Sequence, residues 1–307
     1  IGNLADLPAV AWETQEFKDW LDKQTGNCVV LLNGDLVSKR NNGNIHPQDS
    51  ARLYSWLQML SSHDNVQVYI TPGDRDWQHS GPQGWDMVQN LEKMVRRWGF
   101  PRVTWPIPNG CPGPVIMDVG ATLRLVFIQT QWWNHPYDRP QAVDVVCDII
   151  TARDFFEEVE DILRESADKN LVMVGHYPML SYDPKGGRMS WKQHLFPLTD
   201  IRPNLYVPIP VVGSMYAALR QNVGKPKDIG NPRFNPFRKD LLDQIRQNGQ
   251  VVYVSGHGQN LQLMKLEDNY MINSGSIGRA GFVGKDQHLQ YRASTRGFIG
   301  LQFKSNG

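Results

Sequence analysis

Short apolar runs of strand length alternate along the chain with longer stretches in which apolar residues recur at helical spacing. Cys28–Leu32, Val66–Ile70, Asn170–Val174 and Val251–Ser255 are nearly continuous apolar runs, the pattern of strands buried on both faces. Val115–Val119 and Leu123–Gln129 read as a hairpin or two adjacent strands, and Leu261–Leu266, Tyr270–Ser274 and Phe298–Phe303 as closing strands. Between them, Asp49–Leu60 places Leu53, Trp56, Leu57 and Leu60 on one helical face. Trp85–Trp98, Ala152–Ser166 and Lys239–Asn248 repeat the pattern. Strands separated by helices predict an α/β sandwich whose site lies at the carboxyl ends of the strands.

One domain spanning 1–307 is expected, because no repeat, low-complexity tract or linker divides the chain. Residues 182–238 break the pattern: they are rich in Pro, Gly and aromatic residues and have weak periodicity. The stretch is too long for an ordinary connection and reads as an insertion or lid. Ile1-Gly2-Asn3 has the look of a strand tail entering a turn, so a first strand is expected upstream of residue 1.

Composition narrows the function classes. A net charge of +1 over 307 residues gives no field for nucleic acid, and no basic patch with interleaved aromatics is present. No apolar run approaches the ~20 residues that span a bilayer. The three cysteines, Cys28, Cys111 and Cys147, are too few for a disulfide framework. Cys28, in an apolar run, is expected as a buried small hydrophobe, and a Cys111–Cys147 pair is left open.

Four of the strand-like runs end in a Gly followed by a metal-ligating side chain: Gly34-Asp35, Gly73-Asp74-Arg75-Asp76, Gly175-His176 and Gly256-His257. Gly lets the backbone turn sharply and aims the next side chain into a shared crevice. One such junction is commonplace, and taken singly His176 or His257 would be an ordinary loop-edge histidine. Four in one chain indicate a common site.

On these motifs the chain resembles the calcineurin-like metallophosphoesterases, nearest to their purple-acid-phosphatase-like branch. The resemblance implies a four-layer α/β/β/α sandwich with a long insertion. It extends to Gln131-Trp132-Trp133 and to Lys192-Gln193-His194-Leu195-Phe196-Pro197-Leu198. Those stretches resemble an envelope subfamily of Gram-negative bacteria in which the domain is often followed by an outer-membrane barrel. The implied location is the bacterial cell envelope, and the implied partner a protein or a covalently linked barrel.

The departures from the family pattern are concentrated. Asn3 stands where the first motif has Asp, with Ala5 in place of the following Gly; Ser38 falls where the branch has a Tyr ligand; Gln259 replaces the second His of Gly-His-x-His. Asp74 replaces a ligand Asn, and Arg75 replaces the His that protonates the leaving group. By the resemblance the first metal would see Asn3, Asp35, Ser38 and Gln259, a poor donor set because neutral amides bind transition metals weakly. The second would see Asp35, Asp74, His176 and His257, a competent set for Zn²⁺, Mn²⁺ or Fe²⁺. The cofactor is then a single divalent metal or none. Arg75 either holds a phosphate through paired hydrogen bonds or, the preferred reading, fills the vacated metal position and pairs with Asp35 or Asp74.

Other residues carry plainer readings. Asp76 is expected to pair with Arg75 or with backbone amides. His46, His63, His79, His135, His194 and His288 are read as surface or structural, His194 being the best exception because it lies in the insertion. Trp132 and Trp133 are read as packing, Lys185–Arg188 as a flexible basic turn in preference to an anion site, and Ser274–Ser276 as a tight turn behind the site. Two-metal hydrolysis needs both ions, and an acid His contributes roughly 10²–10⁴-fold. The expected function is therefore a non-catalytic binding or scaffold module. The alternative is a one-metal phosphoesterase acting on a phosphomonoester or phosphodiester, and a third reading is anion binding at Arg75 without chemistry.

Overall fold

The structure, a computed structural model, describes residues 1–8, 11–38, 43–140, 147–196, 198, 205–209, 215 and 224–303. Two sheets lie face to face and each is covered on its outer side by helices. The smaller sheet has the order β1 (Cys28–Asn33), β2 (Val66–Thr71), β3 (Val103–Thr104), all parallel. The larger has the order β10-β8-β9-β7-β6-β5-β4. Its strands are β4 (Val115–Val119), β5 (Leu123–Phe127), β6 (Asn170–Val174), β7 (Val251–Ser255), β8 (Leu261–Leu266), β9 (Asn269–Ser274) and β10 (Leu289–Ala293). β5, β6, β7 and β9 run parallel; β4 and β8 are antiparallel additions, and β10 pairs antiparallel with β8.

Strand alternation sorts side chains into three cores. In β1, Val30 and Leu32 face a cluster shared with α1 (Trp12–Leu21), α2 (Pro47–Ser61) and α3 (Gly84–Trp98), while Val29 and Leu31 face the layer between the sheets. In β6, Val172 and Val174 enter that middle layer, and Leu171 and Met173 pack against α5 (Ala152–Glu165) and α7 (Asn235–Asn248). Both sheets are thus apolar on both faces, which is why these runs look continuous in the sequence. The four-layer α/β/β/α order is present.

The sheets are joined at their carboxyl ends. Asn33, the last residue of β1, donates from Nδ2 to the carbonyls of Gly175 (3.0 Å) and Val254 (3.1 Å) in the other sheet. Ile1 is hydrogen-bonded to Leu31 and Asn33 of β1, and the amide of Gly2 to the carbonyl of Ser274 at the end of β9.

Several expectations are corrected. Residues 298–303 form no strand: Phe298 packs edge-on against Phe17 and Trp20, at 4.9 and 5.0 Å between ring centroids, and the last strand is the polar edge strand β10. Helix α1 was absent from the pattern, and α7 begins at Asn235, inside the stretch read as an insertion. Cys28 is half-buried at the start of β1 and free. Cys111 and Cys147 form a disulfide with their Cα atoms 5.7 Å apart. Trp132 and Trp133, on α4 (Thr130–Asn134), pack as expected, Trp133 stacked on Phe237 at 4.5 Å. Of residues 182–238, the described part includes a 3-10 turn (Pro184–Gly186), α6 (Trp191–Leu195) and residues 224–234 ahead of α7. Residues 197, 199–204, 210–214 and 216–223 lie outside the described residues, and with them much of the segment read as a lid.

Candidate metal centre

β1 and β2 of one sheet and β6 and β7 of the other end side by side. Their following residues Asp35, Asp74, His176 and His257 are all buried, and one ligand atom from each lies within 4.8 Å of the others. The approach depends on glycine. Gly34 has φ +80°, and a Cβ there would fall 2.2 Å from His176 Nδ1; a Cβ on Gly73 would fall 2.5 Å from His176 Cε1. Asp35 itself sits at φ +58°, a conformation that an Asp adopts at some cost and that clusters at functional sites.

Asp74 Oδ1 is 3.0 Å from His257 Nδ1 and 3.2 Å from His176 Nε2. His176 Nε2 is 3.4 Å from Asp35 Oδ1 and 3.2 Å from His257 Nδ1. Tetrahedral zinc with ligands at ~2.05 Å requires ligand–ligand edges of roughly 3.3 Å, so these spacings suit such an ion. The far side of each ring fixes its tautomer. His176 Nδ1 donates to the carbonyl of Asn33 (3.0 Å) and His257 Nε2 to that of Lys227 (2.7 Å), since a carbonyl can only accept. In the neutral rings the lone pairs of His176 Nε2 and His257 Nδ1 therefore face each other and a carboxylate oxygen. Such a cluster of acceptors calls for a cation, and the residues present fit one divalent metal.

The electrostatics agree. Burial favours the neutral acid at Asp74, but the His257 ring, charged when protonated, and the hydrogen bonds that protonated His176, His257 and His79 would donate hold its carboxyl well below the usual range. Burial opposes charge on His176, yet Asp35 and Asp74 outweigh it and its pKa rises. Burial and then the Lys185 ammonium pull His257 down.

Of the first-metal set, Ser38 and Gln259 are committed elsewhere, and Asn3 is held by its amide nitrogen while its buried Oδ1 has no hydrogen-bond partner. Asn3 donates from Nδ2 to the carbonyls of Gly256 (2.8 Å) and Gly275 (2.6 Å). Ser38 turns away to Asp49, with Oγ 2.9 Å from Oδ1. Gln259 gives its amide to Asp6 Oδ2 at 3.0 Å. Arg75 lies between two carboxylates. Its backbone N–H donates to Asp35 Oδ1 (3.1 Å), Nε is 3.2 Å from Asp35 Oδ2, and Nη1 and Nη2 reach Asp6 at 2.7 and 3.0 Å. Burial disfavours the guanidinium charge, but Asp35 and Asp6 raise its pKa further above its already high value. Arg75 thus pairs with Asp35, the first of the two carboxylates expected for it. Three poor donors and a resident cation do not fit a second metal.

Asp76 pairs with amides rather than with Arg75. Oδ1 accepts from Leu36 N (2.9 Å) and Val37 N (3.0 Å), and Oδ2 from Gly73 N (2.7 Å). Burial, then Asp35, pushes its pKa up to about 7 against the pull of those amides.

Three residues at the site were missed. Asp6 lies one position past Ala5, outside the family's first motif, so nothing marked it. His79, read as surface or structural, sits 3.2 Å from Asp74 Oδ2 in a turn where Gln78, His79 and Ser80 all have positive φ. Three consecutive left-handed residues leave no sequence signature here. Lys185, read as part of a flexible basic turn, instead projects inward. Its Nζ is 3.3 Å from His257 Nδ1 and 2.5 Å from the His257 carbonyl. Burial lowers its pKa while Asp74 and Asp35 oppose the fall. His194, on α6, takes no part in the contacts at the cluster. A cleft of about 510 Å³ opens on Asp74 and is lined also by His79, Ser80, Tyr177, Lys225, Pro226 and Lys227.

No known family profile and no curated protein matches the chain. Among solved structures it is similar to one described as "GAP50 the anchor in the inner membrane complex of Plasmodium", with TM-score 0.50 and 14% identity over 97% of this chain and 78% of that one. It is also similar to one described as "Structure of PhoD", with TM-score 0.52 and 13% identity over 93% of this chain and 60% of that one. The chain thus spans less than two thirds of the length of the PhoD structure. At these identities the likeness shows the fold, which is metallophosphoesterase-like.

Proposed function

We propose that this chain is a binding or scaffold module built on a metallophosphoesterase-like fold, retaining one divalent-ion site and lacking efficient hydrolysis. The observation that carries this reading is the Arg75 guanidinium held between Asp35 and Asp6, where a second cation would have to sit. Asp35, Asp74, His176 and His257 would hold the remaining ion, Zn²⁺, Mn²⁺ or Fe²⁺. Arg75 supplies charge but no transferable proton, because a guanidinium does not deprotonate near neutral pH. Its paired donors are directed at Asp6, which argues against a separate role in gripping an external anion. One protein of this fold is described as an anchor, the kind of role proposed here. The test is hydrolysis of a phosphomonoester and a phosphodiester with each metal added. Turnover at or near background is expected; robust metal-dependent turnover lost in Asp35→Ala overturns the reading.

A one-metal phosphoesterase is the second reading, favoured by the open cleft beside Asp74. When bound, a metal supplies Lewis-acid charge to a phosphoryl oxygen. The chain's part would be to position the ester through the cleft residues and to keep Asp74 ionised.

The cell envelope is the proposed location, with a protein partner or a covalently linked outer-membrane barrel. The Cys111–Cys147 disulfide supports an oxidising compartment, and no helix among the described residues is long and apolar enough to cross a membrane. Thiol alkylation in intact cells is the check: both cysteines blocked is expected, both free contradicts the location.

A further inference from the structure

Lys185 places an ammonium against the one nitrogen of His257 that faces the cluster. Its Nζ lies 3.3 Å from His257 Nδ1, the same atom that stands 3.0 Å from Asp74 Oδ1 and 3.2 Å from His176 Nε2. With the Nε2 proton of the neutral ring held by the Lys227 carbonyl, that nitrogen is an acceptor, so the ammonium donates to the lone pair a metal would use.

The backbone presenting Lys185 is tightly fixed. Asp183 caps the turn, with Oδ1 accepting from Gly186 N at 2.9 Å and its carbonyl from Arg188 N at 2.9 Å. The Lys185 carbonyl accepts from Ile229 N at 3.1 Å. Gly186 has no room for a side chain, since a Cβ there would lie 2.1 Å from the Ser181 carbonyl. Asp183 Oδ2 in turn accepts from Asn260 Nδ2 at 3.2 Å. The turn therefore delivers the ammonium by its backbone geometry, and only the side chain can withdraw it.

An ammonium and a divalent ion cannot share this lone pair. Two like charges in such close quarters also repel. We propose that Lys185 is a tethered cation that competes with the divalent metal for His257, so that its side chain must leave Nδ1 before the ion can be held by all four ligands. With Arg75 on the Asp35 side, the cluster then has a charged side chain of its own at each flank, Arg75 toward Asp35 and Asp6, Lys185 toward His257. This inference rests on the one-ion reading.

Calorimetric titration of metal-free protein with Zn²⁺ and with Mn²⁺ tests it, comparing wild type with Lys185→Met, which keeps the length of the side chain without its charge. Lys185→Gln serves as a second variant, and thermal melts without metal check folding. At least tenfold tighter binding in the variants is expected. Equal affinity within twofold, with one equivalent bound throughout, overturns the role of Lys185 and leaves the one-ion reading standing. No binding in wild type or variants overturns both. A measurement on the wild-type protein avoids any folding defect. Reductive methylation of Lys185, followed by mass spectrometry, should rise several-fold when Zn²⁺ is bound; unchanged labelling with the ion bound contradicts displacement.

Discussion

Arg75 is gripped end-on by Asp6, with Nη1 2.7 Å from Oδ1 and Nη2 3.0 Å from Oδ2, while its Nε stays 3.2 Å from Asp35. Both Arg75 and Asp6 are only 15% exposed at the side chain, so the pair is largely out of water. Removing one partner strands a charge. Arg75→Ala is predicted to destabilise the fold by about 2–4 kcal/mol, and Asp6→Asn by less. A double-mutant cycle in denaturant should give a coupling of at least ~1 kcal/mol; additive losses would mean that the pair acts only as separate side chains.

Gly34 is one of the tight backbone positions at the cluster. Gly34→Ala forces a Cβ to 2.2 Å from His176 Nδ1 at φ +80°. Loss of about 2 kcal/mol or more is expected, with weakened metal uptake, because the ring must leave the Asn33 carbonyl. Thermal melts with and without Zn²⁺ read both effects; a variant matching wild type in each would show that the loop yields freely.

Metal should stabilise the folded chain. At a free Zn²⁺ concentration 100 times its Kd, linkage predicts about 2.7 kcal/mol. Asp74→Asn and His257→Ala are expected to abolish that gain while remaining folded, as followed by melting with and without the ion.

His135 gives the stability a pH dependence apart from the cluster. It packs on Trp77 at 4.9 Å, and burial, then the Arg139 charge, lowers its pKa from 6.5 to about 4. The unfolded chain thus binds the proton more readily than the native one. The stability is complete above pH 6.5 and falls as pH drops towards 4, by about 1.4 kcal/mol per pH unit for this group. Denaturant titrations between pH 7 and pH 5 should show a shallower slope in His135→Gln.

The Cys111–Cys147 bridge closes a span of 36 residues. Loop-closure entropy for that length corresponds to about 4 kcal/mol. Reductant, or Cys111→Ser with Cys147→Ser, should lower the melting temperature by several degrees; an unchanged melt would remove the bridge from the account.

Much of the fold was legible because its parallel strands are buried on both faces. β6, β7 and β8 coincide with the apolar runs Asn170–Val174, Val251–Ser255 and Leu261–Leu266. What escaped lacked such a pattern. α1 buries chiefly Glu13, Phe17 and Leu21, too sparse a stripe to stand out. β10 is an edge strand whose side chains are mostly exposed, whereas the apolar residues 298–303 beyond it serve partly as packing, Phe298 against α1. At the site, glycine-ended strands marked the four residues that the fold brings together. Asp6, His79 and Lys185 reach it from turns whose geometry depends on distant contacts, and no local spacing announces them.

The most direct test is the number of divalent ions held per chain. Metal-free protein would be equilibrated with excess Zn²⁺ or Mn²⁺, desalted and analysed for metal, beside Asp74→Asn. One equivalent in the wild type and none in the variant is the predicted result. Two equivalents, or none, or one that survives in Asp74→Asn, would contradict a single ion held by Asp35, Asp74, His176 and His257 with Arg75 in the second place.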